Sequence, residues 1–150
     1  MCRAVAFVNN GCLRCYSVDD KGEEHIVQFA IEDWWISEPY SALTGEPSEY
    51  NIDALEGSEL LLLEKEPQRR LLEEIPKFER LFRLLLENRF VATQRRINES
   101  LSISAEELYL NFLKTYPDIA KRVPQSQIAS YLGITPQSLS RIRKERFERK

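Results

Sequence analysis

The chain has one histidine, His25, in 150 residues. Histidine-based triads, and the metal sites of roll-shaped enzymes that gather several imidazoles, therefore lack their ligands. No glycine-rich phosphate loop is present, so no catalytic residue is assigned. The three cysteines, Cys2, Cys12 and Cys15, are an odd set. The start, Met1-Cys2-Arg3-Ala4-Val5, lacks the layout of a secretory leader, so reduced thiols and a cytoplasmic chain are expected. Cys12-Leu13-Arg14-Cys15 has metal or redox spacing. On a strand its two thiols would face opposite ways, so no metal site and no cofactor is expected. The longest apolar run, Leu60–Leu63, is four residues, far short of the roughly 18 that a membrane span needs.

Charge is present but unevenly placed. The net charge is −3, while residues 121–150 carry eight Lys/Arg against Glu145 and Glu148. That tail is +6 and the rest of the chain −9. Such a split suggests one anionic partner met by one end of the molecule; a solvated basic helix end is the plainer alternative.

The first part reads as short strands between turn signals. Arg3–Val8 leads into Asn9-Asn10-Gly11, a hairpin signal, and then Cys12–Val18. Asp19-Asp20-Lys21-Gly22 precedes Glu23–Phe29, and Asn51–Leu55 and Glu59–Leu63 flank Glu56-Gly57-Ser58. This spacing predicts an antiparallel barrel or roll. After Pro76, Phe78, Leu81, Phe82, Leu85 and Ala92 recur at helical steps, predicting a helix of roughly 23 residues and about 35 Å. Leu81–Leu86 is apolar nearly all round. One side can meet the roll, and the other fits the same helix of a second copy, or else a wedge between two domains of a monomer. Ser100–Ser104 reads as a linker, and Ser104-Ala105-Glu106-Glu107 as a capping box opening a helix with Leu108, Phe112 and Leu113 inward.

The strongest pattern lies in Gln125–Arg143. A helix from Gln125 to Leu132 turns Ile128 and Leu132 inward, with Ala129 small enough for close approach. Gly133 supplies a positive φ, and Ile134 fills the corner. Thr135 caps a second helix that starts at Pro136 and buries Leu139 and Ile142. Gln137, Ser138, Arg141 and Lys144 are left on one outward face. Those side chains suit base edges, Gln with adenine, Arg with guanine and Ser with either. Gln125 and Ser126 suit phosphates. A helix-turn-helix bound to double-stranded DNA is expected.

Gly11-Cys12-Leu13-Arg14 in the strands, Gln94-Arg95-Arg96-Ile97 in the long helix, and Ile128-Ala129-Ser130-Tyr131-Leu132-Gly133-Ile134-Thr135 through Leu139-Ser140-Arg141-Ile142 resemble the Crp/Fnr family of bacterial regulators. The resemblance covers nearly the whole chain. It implies an α+β fold in three parts: a cyclic-nucleotide-binding-like antiparallel roll over 1–75, a long dimerisation helix over 76–99 whose residues 76–98 join a homodimer, and a helix-turn-helix domain over 100–150. It also implies a recognition helix in the major groove and a palindromic operator. The family's roll begins with a further helix and strands, so this roll is expected to be shortened, and the chain ends before the hairpin that follows the recognition helix in the family.

The ligand cassette departs further. Members that bind cyclic nucleotides use a Gly-Glu pair and an Arg. Here Trp34-Trp35 stands in the first place and Ser48-Glu49-Tyr50 in the second. No Lys or Arg occurs from Gly22 through Glu64, while Asp33, Glu38, Glu46, Glu49 and Asp53 do. A phosphate needs a cation or a helix N-terminus, so cyclic AMP is not expected. Trp34, Trp35, Tyr40 and Glu49 are the candidates for a pocket taking some other small-molecule effector, or the aromatic residues are simply core. Two functions stay open at this point: a dimeric, sequence-specific transcription regulator, or a degenerate sensor or interaction protein with only non-specific affinity for DNA.

Overall fold

The computed structural model of the chain describes residues 4–148. Its strands are β1 (Ala4–Asn10), β2 (Leu13–Val18), β3 (Glu24–Ala30), β4 (Trp35–Ile36), β5 (Tyr50–Ala54) and β6 (Glu59–Glu64), with a short helix α1 (Pro39–Thr44) between β4 and β5. They form two antiparallel sheets, in the orders β4-β1-β6 and β3-β2-β5. The chain then turns helical: α2 (Lys65–Glu74), α3 (Pro76–Ser102), α4 (Ala105–Thr115), α5 (Pro117–Arg122), α6 (Gln125–Leu132) and α7 (Pro136–Glu148). This is the α+β roll followed by helices that the sequence predicts. No helix among the described residues is long and apolar enough to cross a membrane.

One local expectation fails. Asn9-Asn10-Gly11 does not close a hairpin, because β1 pairs with β4 and β6 while β2 pairs with β3 and β5. Gly11 does have φ 114 and a Cβ there would strike Ser58 Oγ at 2.1 Å, so glycine is required. The conformation serves a crossing between sheets, with the Gly11 N–H held by Glu32 Oε1 at 2.8 Å. Packing decides the matter. Ala6 and Val8 of β1 and Leu13 and Cys15 of β2 bury into one cluster from facing sheets; a hairpin would set them side by side and leave that interior unfilled.

Two helical segments also differ from expectation. Lys65–Glu74 is a helix, with Pro67 tolerated in its first turn. Ile75 breaks it, and Pro76 opens α3, which runs 27 residues. The expected linker is largely helix: Ser100 and Ser102 donate back to the Ile97 and Asn98 carbonyls at 2.7 and 2.6 Å, which seats serine inside a helix end. Only Ile103 and Ser104 leave it, and Ser104 forms the expected capping box with Glu107.

The larger core does not follow the sequence's divisions. Cys12, Ile26 and Phe29 of the roll share one buried cluster with Leu108, Phe112, Ile119, Ile128, Leu132, Leu139 and Ile142 of the C-terminal helices. The roll and the helix-turn-helix therefore close around common apolar surface. Cys12 and Cys15 lie in different clusters, as opposite strand faces dictate, and burial pushes the Cys12 thiol up.

Candidate nucleic-acid interface

The two-helix unit has the chemistry that its residues predict. α6 ends at Gly133 with φ 70, whose N–H reaches back to the Ala129 and Ser130 carbonyls. Ile128 and Ala129 are fully buried, so α6 can approach its neighbours closely. Thr135 Oγ1 accepts the Ser138 N–H at 3.1 Å, and Pro136 is the first residue of α7. Leu139 and Ile142 are buried, which fixes the opposite face outward.

On that face Gln137, Arg141 and Lys144 are exposed, at steps i, i+4 and i+7 of α7, so they span about 10 Å of helix. Ser138 is half-buried, and its Oγ accepts a hydrogen bond from the Thr135 hydroxyl at 2.9 Å. These two hydroxyls thus serve the helix start first. At the N-terminus of α6, Ser126 is exposed and Gln125 half-buried; Tyr109 Oη donates to Gln125 Oε1 at 3.5 Å.

The basic segment divides into cations already matched and cations left open. Arg122 donates to both oxygens of Glu32, at 2.7 and 3.0 Å, and to Glu56. Both acids belong to the roll, so Arg122 is an interdomain fork rather than part of a free basic surface. Lys121 pairs with Asp118 at 3.2 Å and Lys144 with Glu148 at 3.9 Å. Arg141, Arg143 and Arg146 are exposed on α7 and enter no ion pair among the described residues. Arg149 and Lys150 lie outside the described residues.

A second docking contact was not visible in the sequence. β3 is an edge strand, and Ser130 of α6 covers it: its Oγ accepts the Ile26 N–H at 3.0 Å and donates to the Glu24 carbonyl at 2.9 Å. A hydroxyl here replaces a missing strand neighbour. Trp34 meets Tyr116 edge-on at 6.0 Å, and Phe29 meets Tyr131 at 5.4 Å. Nothing in the local pattern of either segment announces contacts more than eighty residues apart.

A cavity of about 800 Å³ lies between the roll, α3 and the C-terminal helices. Trp34, Trp35 and Tyr40 line it, as the sequence suggests, whereas Glu49 is exposed and is not among its lining residues. The absence of a cation in the roll segment is made good from elsewhere, since α3 turns Arg89 and Arg96 into the same cavity.

The architecture is that of a cyclic-nucleotide-binding-like roll joined through a long helix to a helix-turn-helix. Solved structures of like shape include transcription regulators, although no protein-family profile matches the sequence and no curated protein does. FixK2 from Bradyrhizobium japonicum superposes with a TM-score of 0.82 at 16% identity, over 98% of this chain and 76% of its own. A Eubacterium rectale protein assigned to the Crp/Fnr family as a transcriptional regulator gives 0.74 at 20% identity, over 98% and 71%. CLP of Xanthomonas campestris, a global regulator responsive to c-di-GMP, gives 0.72 at 14% identity, over 95% and 76%. The chain has the Crp/Fnr fold.

Proposed function

We propose that the chain is a sequence-specific DNA-binding transcription regulator that acts as a dimer through α3. The observation that carries the reading is α7, whose buried Leu139 and Ile142 hold Gln137, Arg141 and Lys144 outward. Arg141 is the reader of a guanine and Gln137 of an adenine. Ser138 and Thr135 lie nearest the backbone at the helix start, and Gln125 and Ser126 position α6 on phosphates. The regulators of like fold support the reading, as does the bare outer stripe of α3. Phe90, Ile97 and Leu101 recur at steps of seven and four and are all more than half exposed, while Phe82, Leu85, Leu86, Arg89 and Ala92 line the cavity. Two such stripes packed together would set the reading helices about one DNA turn apart, on an imperfect palindrome.

Selection of bound duplexes from a random pool at ~150 mM salt, with oligomeric state from light scattering, tests this. A two-fold-symmetric motif bound by a dimer is expected. Binding that ignores sequence and collapses with modest salt would replace the reading with residual, non-specific affinity.

A further inference from the structure

The turn between β2 and β3 gathers three side chains that the DNA reading does not use. Asp19 follows β2, and its N–H donates to the Glu23 carbonyl at 3.0 Å, which sets these two residues across the hairpin from each other. Glu23 and His25 flank Glu24 at the start of β3, so strand alternation turns both to one face. One donor atom from each of Asp19, Glu23 and His25 lies within 4.8 Å of the other two. The Asp19 carboxylate is aimed by its own turn. Its Oδ1 accepts the Lys21 and Glu23 N–H groups, each at 2.9 Å, while its Oδ2 meets His25 Nε2 at 2.9 Å.

What sets this pair of carboxylates apart is the cation it lacks. Elsewhere, neighbouring acids share an arginine: Asp53 and Glu24 share Arg14, Glu32 and Glu56 share Arg122, Glu66 and Glu73 share Arg69, and Glu79 and Glu87 share Arg83. Asp19 and Glu23 have no such bridge. Among the described residues neither enters an ion pair with lysine or arginine, and Lys21, exposed in the same turn, enters none. The His25 imidazole meets Asp19 and leaves Glu23 without a counter-charge. Like charges set opposite each other across a hairpin are destabilising, and a cation held between them reverses that effect.

The donor set selects the ion. One imidazole nitrogen and two carboxylate oxygens suit zinc and its first-row neighbours, whereas magnesium and calcium take oxygens and would use only two of the three. Zinc bonds such donors at about 2.0–2.2 Å and takes four ligands, so the exposed Glu23 side chain closes in and water fills the fourth position. Cys12 and Cys15 are buried in the core clusters and take no part.

We infer that Asp19, Glu23 and His25 bind one divalent ion of the zinc class on the β2–β3 turn. The place has a structural consequence. Ser130 of α6 engages the Glu24 carbonyl and the Ile26 N–H, the backbone groups on either side of His25, so the ion ties down the strand end on which α6 docks. The inference stands apart from the DNA reading, because binding is measured with no DNA present.

The probe is Zn²⁺ alone. It is titrated into the full chain, with accessible thiols alkylated beforehand, in competition with a chromophoric zinc chelator. The imidazole proton resonances are followed in parallel and belong to His25, the one histidine of the sequence. One Zn²⁺ per chain is expected, with the imidazole resonances moving to saturation at the same ratio. Glu23→Gln and Asp19→Asn should each weaken binding at least tenfold; the asparagine keeps an oxygen for the Lys21 and Glu23 N–H groups and so preserves the turn. Equal affinity in wild type and Glu23→Gln overturns the site. Zinc uptake that leaves the imidazole resonances in place overturns it too, and this wild-type measurement decides alone should a variant not fold. Displacement of Zn²⁺ by an equal concentration of Mg²⁺ overturns the nitrogen contact.

Discussion

Arg14, on the central strand of one roll sheet, is nearly buried between Asp53 at 2.7 Å and Glu24, whereas Arg141, on α7, stands exposed and enters no ion pair among the described residues. The same side chain does opposite work in the two regions. In the roll, cation and carboxylates tie β2 to β3 and β5, so the Arg14 charge is met internally. On α7 the apolar residues hold the helix, and the cations are left to the solvent. A guanidinium that already meets two carboxylates is a poor reader of bases; an open one is a good reader. The difference turns the uneven charge of the sequence into a statement about which arginines face a partner.

The largest expected effect tests whether the two regions are separable at all. Leu139 is 1% exposed and its cluster includes Cys12, Ile26 and Phe29 of the roll. Leu139→Ala should cost about 3 kcal/mol, within the range for buried leucine truncation. Denaturant unfolding should show one transition for both regions, by tryptophan emission from the roll and by far-ultraviolet circular dichroism. Two separated transitions would mean that the shared cluster does not couple them.

The next effect separates reading from stability. Arg141→Ala should lower affinity for the selected duplex by about 1–3 kcal/mol and relax base preference at one position. The midpoint of unfolding should not move, since Arg141 is exposed and enters no ion pair among the described residues. Equal loss on every DNA sequence would assign Arg141 to phosphate contact instead. The mirror experiment is Arg14→Met, expected to cost about 1–2 kcal/mol of folding stability and nothing in base preference. The figure is set below that for fully buried pairs, because the Glu24 and Asp53 side chains are 42% and 43% exposed and regain water. A change in the selected motif with Arg14→Met would break the division of labour between the regions.

The same contrast explains what could be read from residues alone. Gly133, Thr135-Pro136 and the alternation of Ile128, Leu132, Leu139 and Ile142 act within about twenty positions, so the helix-turn-helix was legible down to its caps. The roll is built from pairs such as Val5 with Leu63 and Leu13 with Ala54, and no window along the chain contains both members. Asn9-Asn10-Gly11 carried a true backbone requirement and a false partner for that reason. The cavity was half legible: Trp34, Trp35 and Tyr40 announce themselves as a cluster, but the cations that complete it come from α3, some fifty residues on. A search of the cassette for Lys or Arg could not find them. The signal existed in Arg89 and Arg96, which fall on the same helical face as Phe82, Leu85 and Ala92; it needed the question of what that face covers.

The smallest effect concerns the fork that joins the regions. The Arg122 guanidinium, aided by the Gly11 N–H, holds Glu32 down to about 2, against an ordinary value of 4.5. A carboxylate depressed on folding adds stability that is fully present above its unfolded pKa and is lost as pH falls through the folded one. The window is therefore pH 4.5 down to about 2. Glu32→Gln keeps an acceptor for Gly11 and removes the charge, so its deficit relative to wild type should be constant at neutral pH and close progressively through that window. A deficit of the same size at pH 3 as at pH 7 would show that Arg122 holds the roll through geometry alone. The fork would then belong with the packing contacts of Ser130 and Tyr116, and not with the matched charges of Arg14.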